Sequence, residues 1–258
     1  MITVKSVREV DTMARAGRIV ADTLALVREQ ARHGVSTWEL DRAAEAFIRS
    51  HKGAKPSFKG LYGFPASLCT SINTEVVHGI PSKKRVLREG DVLSVDCGVC
   101  VGGLHADSAV TVPVGVVSPE AQALLDATQR ALEAGIAAVR SGCQVGDIGS
   151  AVQAVAEGAG YSVVRELVGH GIGAQFHEEP QVPNFGAKGT GPRLVPGMTI
   201  AIEPMVNAGE PDVRTLADRW TVVTKDGSLS AHFEHTVAVT EDGARILTLG
   251  EACSVSAA

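Results

Sequence analysis

No run of about 18 apolar residues interrupts this chain, and its N-terminus has no apolar segment of the kind an export signal needs. A membrane span and secretion are therefore not expected, and the cytoplasm is the expected location. A basic excess is missing too. The 24 lysines and arginines against 29 acids leave a net charge of −5, which gives no global field for nucleic acid or anionic lipid. Neither a sequence-specific nucleic-acid partner nor a membrane partner is expected. Cysteine is scarce and odd in number, five in 258 residues, which fits reduced thiols better than a disulfide framework. Cys97-Gly98-Val99-Cys100 spells CxxC, but no second CxxC or suitably spaced histidine pair completes a zinc site, so the motif reads as packing. GxSxG, GxxxxGK[ST] and HExxH are all absent, and Gly169-x-Gly171-x-Gly173 has the wrong spacing for a dinucleotide fingerprint. Lys83-Lys84-Arg85, a short basic run, reads as a solvated loop.

What is there is an ordinary globular composition, 45% hydrophobic and 21% charged, in a chain long enough to bury about three quarters of its unfolded surface without staples. Apolar spacing predicts a helix over about 6–32. A second starts at the capping box of Ser36 and Glu39, where hydroxyl and carboxylate satisfy orphan amides. Glycines, prolines and aromatics make 56–65 a loop, and 67–72 reads as a short strand. Strands are then expected from 92 to 96 and, returning antiparallel, from 104 to 114. Ser118-Pro119 opens a third helix ending near 141–142, and 145–159 forms a fourth. Candidate strands follow at 162–168, 198–206, 220–224 and 230–240.

Two helices with strands are thus followed by two helices with strands, and the halves share a phrase. Gly90-Asp-Val-Leu-Ser-Val-Asp96 matches Gly197-Met-Thr-Ile-Ala-Ile-Glu203 in glycine, alternating apolar strand and terminal acid. No Pro/Ser/Gly-rich linker separates the halves. The expectation is one α+β domain over 1–258, duplicated internally as about 6–114 and 118–249, with a short tail at 250–258.

Acids normally avoid apolar strands, because a desolvated carboxylate costs several kcal/mol unless neutralised. Asp96, Asp107, Glu203 and Glu234 all break that habit. A four-residue hairpin loop at 100–103 would set Asp96 directly opposite Asp107, and the duplication would bring Glu203 to the same face. Taken singly, each acid fits a solvated strand residue. As a set they demand either raised pKa values or cations, and four carboxylates would balance two divalent ions. Glycines around His170 allow close backbone approach. An imidazole among oxygen ligands suits Mn, Fe, Co or Zn better than Ca or Mg. His177 and His78 sit in similar glycine and proline settings. Any one of these histidines alone would fit a structural role.

Ser71-Ile72-Asn73, Val77-His78-Gly79-Ile80-Pro81, Asp96, Asp107, Gly169-His170-Gly171-Ile172-Gly173, Phe176-His177 with Pro180, Ile202-Glu203-Pro204, Trp220 and Glu234-His235-Thr236 stand in order. Together they resemble the type I methionine aminopeptidases, metallopeptidases of the pita-bread fold, in their short bacterial form, from the first helix to about Leu249. The resemblance implies an α+β fold with pseudo-twofold halves, a curved antiparallel sheet covered by two helix pairs. It implies removal of N-terminal methionine, preferably before a small second residue, at a centre of two divalent cations (Co, Mn, Fe or Zn). Asp96, Asp107, His170, Glu203 and Glu234 would be the ligands, with Asp107 and Glu234 bridging. Glu203 would move the proton of the attacking water, His177 would stabilise the oxyanion, and His78 would contact the scissile amide. Phe58, Leu61, Phe64, Cys69, Phe176 and Trp220 would line the methionine slot, although each also fits plain core. Leu61 departs from the tyrosine many relatives carry, with Tyr62 next to it. Nascent polypeptides, transient ribosome contact and a monomeric state are implied as well. Two rivals stay open: an Xaa-Pro peptidase of the prolidase or aminopeptidase P kind, and a metal-free adaptor of the same fold.

Overall fold

Serine caps start three of the four α-helices among the described residues. Ser6 and Ser36 form capping boxes with Glu9 and Glu39 ahead of α1 (Val7–Gln30) and α2 (Thr37–Ser50). Ser118 accepts the Ala121 amide ahead of α3 (Pro119–Ala137), and Gln144 with Asp147 opens α4 (Val145–Gly158). The computed structural model describes residues 2–250, so residues 251–258 of the expected tail lie outside the described residues. Each helix pair covers the back of a sheet. Val20, Leu24 and Val27 of α1 with Leu40, Ala44 and Ile48 of α2 pack on Leu68, Leu93, Val95, Cys97 and Val99. Leu124, Leu132, Ile148 and Val152 of α3 and α4 pack on Ile200, Ile202, Val206 and Val237. Among the described residues no helix is long and apolar enough to cross a membrane.

The first sheet is built on Val92–Val101. Ala54–Pro56 and Leu68–Ile72 pair with one edge of it, and Leu104–Pro113 with the other, all antiparallel. The second is five-stranded, in the order Ala244–Ile246, His235–Val239, Thr199–Ile202, Gly169–Gly171, Glu178–Val182. The repeated phrase has a structural counterpart. Gly90 and Gly197 both take φ 87, a left-handed value that glycine adopts without a Cβ penalty. Both donate their amide across to the end of the neighbouring hairpin strand, Gly90 to Val114 (2.9 Å) and Gly197 to Val239 (3.0 Å).

The expected hairpin register is corrected. Val101 pairs with Leu104, so the loop is the two-residue Gly102-Gly103, both at positive φ as a type I′ turn requires, and not the four-residue loop 100–103. Asp96 therefore faces Ala109, and Asp107 faces Gly98. A slip of two residues preserves the side-chain face, so the two aspartates remain diagonal neighbours on one surface. Several expected strands are shorter or broken. Residues 162–168 keep only Ser162–Val163, and 220–224 keep Val222–Thr224. The stretch 198–206 divides into Thr199–Ile202 and Met205–Asn207, and 230–240 into Ser230–His232 and His235–Val239. The breaks fall at Glu203 and Glu234, where the chain passes from one sheet to another.

The second break joins the halves. The Glu234 amide donates to the Ala109 carbonyl (2.9 Å), and Ser108 Oγ donates to the Glu234 carbonyl. Thr111 Oγ1 accepts the His232 amide and donates to its carbonyl, both at 2.8 Å. The outer edge of Leu104–Pro113 is thereby tied to 232–236, which carries one acid from the second half to the two from the first.

Candidate metal centre

Alternation along Val92–Val101 sends Cys97 and Val99 back to the helices and leaves Asp96, Gly98 and Cys100 on the other face. Cys97 and Cys100 thus point to opposite faces and cannot share an ion, and both are free and buried, as are Cys69 and, in part, Cys143. The glycine between them matters more. A Cβ at Gly98 would stand 2.9 Å from the Phe58 ring and 3.0 Å from the Phe176 ring. Those rings meet edge to face at 5.3 Å, so Gly98 is what lets them close over the sheet beside Asp107.

A cavity of about 210 Å³ opens on this face. All thirteen side chains singled out from the sequence line it: His78, Asp96, Asp107, His170, His177, Glu203 and Glu234, with Phe58, Leu61, Phe64, Cys69, Phe176 and Trp220. Five further residues join them, Tyr62, Val77, Leu167, Val168 and Met205. Asp107, His170 and Glu234 offer ligand atoms within 4.8 Å of one another. His170 Nε2 stands 3.5 Å from Asp107 Oδ2 and 3.6 Å from Glu203 Oε1. The other ring nitrogen, Nδ1–H, donates to the Gly171 carbonyl (2.8 Å), which turns Nε2 toward the acids. Thr236 Oγ1 accepts the Asp107 amide (3.0 Å) and lies 2.8 Å from its Oδ1, fixing that carboxylate.

The acids are held far from their ordinary state. Asp96 and Glu234 are pushed well above the usual carboxylate range, first by burial and then by Asp107 and the other acids. Glu203 is raised to about 8 by burial and by Asp107, against the opposing charge of His170. Burial disfavours the charged His170 ring, yet the hydrogen bond and charge of Asp107, then Glu203, carry it up to about 9. The protein on its own thus recruits protons where positive charge is wanted. Asp96 Oδ1 is sealed from solvent with no hydrogen-bond partner, a costly state that a cation would relieve. Four carboxylates and one imidazole with its lone pair aimed at them are a donor set suited to divalent transition metals.

The remaining histidines differ. His78 takes φ 59, uncommon for a residue with a Cβ, and burial lowers its pKa. His177 lies at the rim, lowered to about 4 by partial burial and then by the charge of His170. Tyr62, at φ 51, stacks on His177 with centroids 5.8 Å apart and its hydroxyl 3.4 Å from Nδ1. Tyr62, next to Leu61 in the chain, thus sets its phenol against His177 at the cavity lining. Sequence reasoning also passed over His232, 2% exposed, lowered to about 3 by burial and then by His78, with Nε2 3.8 Å from Glu203 Oε2. Only its position two residues before Glu234 could have flagged it. Trp220 closes the far wall against Phe64, rings edge to face at 5.0 Å. Of the basic run, Arg85 is no free surface charge: it pairs with Glu75 and donates to the Ile80 carbonyl, while Lys83 covers the Trp38 ring.

The sequence model of metallopeptidase family M24 matches residues 11–241. The methionine aminopeptidase of Clostridium perfringens is 53% identical over 249 residues, spanning 96% of this chain and 99% of that one. The crystal structure of methionine aminopeptidase from Rickettsia prowazekii superposes with a TM-score of 0.94 at 43% identity, covering 96% of this chain and 100% of that one. The prolidase from Pyrococcus horikoshii shares the fold at a TM-score of 0.77 and 21% identity, and this chain spans 64% of it.

Proposed function

The chain belongs to metallopeptidase family M24, and from that premise we propose that the pocket removes the N-terminal methionine from proteins and peptides, preferably before a small second residue. The observation that carries this reading is one cavity in which five candidate metal ligands, four carboxylates and an imidazole, meet an apolar slot. Asp96, Asp107, His170, Glu203 and Glu234 would hold two divalent cations. Such cations supply Lewis acidity and make hydroxide available near neutral pH.

The chain's own groups do the rest. Glu203, already tuned toward neutral pH by burial, takes the proton of the attacking water and returns it to the leaving amine. His177, neutral at the rim, donates to the carbonyl oxygen as negative charge develops there. His78 contacts the scissile amide from its constrained backbone position. Phe58, Leu61, Phe64, Cys69, Phe176 and Trp220 form the apolar, polarizable walls for a thioether, and their closeness excludes water. The reading takes the chain as one catalytic domain built from two halves, working as a cytoplasmic monomer on nascent polypeptides.

The test is release of methionine from Met-Ala-Ser against cleavage of Xaa-Pro peptides, with chelated and metal-restored protein. Methionine release that returns with Mn, Co, Fe or Zn supports the reading. Cleavage confined to Xaa-Pro would establish the prolidase alternative, and inactivity with every ion the adaptor. Against the adaptor stands the full ligand set in one pocket.

His177→Ala is expected to lower kcat by roughly 10²–10³, the usual cost of an oxyanion donor, with metal affinity measured by calorimetry unchanged. Gly98→Ala should raise KM for a methionine peptide roughly tenfold, because ~1–3 kcal/mol of overpacking falls on the Phe58 and Phe176 rings; an unchanged KM would remove those rings from the slot. Transient ribosome contact through exposed Lys83 and Lys84 predicts weaker co-sedimentation when both are reversed to Glu. Unaltered co-sedimentation would remove that surface from the account.

A further inference from the structure

His232 is a buried side chain that the reaction as described does not use. Its backbone is clamped by Thr111 Oγ1 on both amide and carbonyl at 2.8 Å, so the ring has a fixed origin. It is 2% exposed, and its Nε2 has no hydrogen-bond partner. A buried ring nitrogen left unpaired is costly, which calls for an explanation. That nitrogen faces Glu203 Oε2 at 3.8 Å, while the other oxygen, Oε1, faces His170 Nε2 at 3.6 Å. Glu203 thus lies between two imidazoles, one inside the ligand cluster and one outside it. At 3.8 Å no hydrogen bond is formed, but a small rotation of the carboxylate brings Oε2 within reach.

We propose that His232 is a positioning residue for Glu203, donating from Nε2 to Oε2 and so reserving Oε1 for the cation side of the pocket. The inference rests on the metallopeptidase reading above. A neutral imidazole carries one N–H, and the hydrogen bond made by a ring nitrogen selects where it sits. With Oε2 engaged, the carboxylate cannot turn away from its ligand orientation, and the oxygen left free is the one that faces His170. The Glu203 carbonyl is held independently, by Asn184 Nδ2 at 3.0 Å, so the backbone and the carboxylate are steadied from different sides. Partners that orient a ligand in this way are typically worth about 10–100-fold in metal affinity or activity.

The test compares His232→Gln, whose amide nitrogen can reach the same oxygen, with His232→Met, of similar length and without a donor. Manganese affinity is measured by calorimetry, kcat and KM with Met-Ala-Ser, and folding by thermal denaturation. The expected result is a loss of about 10–100-fold in both kcat and manganese affinity for the Met variant with KM little changed, and values within a few-fold of native for Gln. Equal effects of the two substitutions, or unchanged manganese affinity in both, overturn the proposal and leave His232 as packing. Should the Met variant not fold, His232→Asn serves instead. Its amide is too short to reach Oε2, so impaired manganese binding supports the proposal and native binding overturns it. The native protein run alongside separates the two levels: if it neither binds manganese nor releases methionine, the metallopeptidase reading itself fails.

Discussion

Asp107→Asn should reduce turnover by at least about three orders of magnitude, since several kcal/mol of Lewis-acid stabilisation are lost at 1.36 kcal/mol per tenfold. The substitution is nearly isosteric, and Thr236 Oγ1 can still meet the new amide, so the fold should survive. Asp107 is 2% exposed, and His170 and Glu234 both offer ligand atoms within 4.8 Å of it. Its charge is also a cause of the raised pKa values of Asp96, Glu203 and Glu234. A second, opposite-signed effect follows. Without metal and at about pH 9, where Glu203 has lost its proton, the Asn variant should melt at a higher temperature than the native protein, because the crowding of negative charge is reduced. Activity and metal-free melting measured on the same preparation check both. A variant that keeps near-native turnover would remove Asp107 from the centre, and one that melts lower without metal at that pH would contradict the charge-crowding argument.

Metal-free protein is expected to lose stability as pH rises from about 6.5 to about 9, and divalent metal should reverse that loss. Asp96, Glu203 and Glu234 have folded pKa values above their ordinary ones, first because of burial. Such a carboxyl binds more protons folded than unfolded. Its stabilising contribution is fully present below its ordinary value and is lost as pH rises from there to the folded value, from 4.5 to about 8 for Glu203. His170, raised to about 9, contributes fully below its ordinary 6.5 and loses that contribution on the way up to 9, so it acts in the same direction. His177, His232 and His235 are lowered to about 4, 3 and 4, burial being the first cause in each. They must stay neutral to remain folded and cost stability as pH falls below 6.5. Below pH 6.5 the carboxyls gain stability and these histidines lose it as pH falls, so the two sets oppose one another there, and the net loss in the chelated protein is expected above about pH 6.5. The metal-induced rise in melting temperature should grow steadily from pH 6.5 to 9. A rise that is independent of pH would mean that those carboxyls and His170 are not the groups the metal meets.

Much of this was legible because chemistry that offends the local pattern leaves a mark in sequence. An acid at the end of Val92-Leu93-Ser94-Val95, or after Ile200-Ala201-Ile202, breaks an apolar alternation, and all four such acids line one cavity. Helix starts were equally readable, since Ser6, Ser36 and Ser118 cap through groups close in sequence. Register was not. The choice between a two-residue and a four-residue hairpin loop turns on Gly102 and Gly103 both taking positive φ, while the sequence 100–103 permits either loop. The sheet breaks at Glu203 and Glu234 were hidden because each depends on partners distant in sequence: Met205–Asn207 pairs with Ser162–Val163 and Ser230–His232, and the Glu234 amide meets Ala109. Gly98 and His232 were missed for a related reason. Gly98 matters through two rings brought in from 58 and 176, and His232 through a carboxylate 29 positions earlier. Nothing local sets either apart. The Tyr62–His177 contact is likewise visible only in three dimensions, because the two rings come from positions 62 and 177.

The most direct test is calorimetric titration of the chelated protein with manganese at pH 7 in buffers of different ionisation enthalpy, which counts ions and displaced protons together. Two ions per chain, expelling more than one proton, is the result expected if buried acids and His170 hold protons in place of cations. Manganese that fails to bind, or binds without releasing protons, would contradict it.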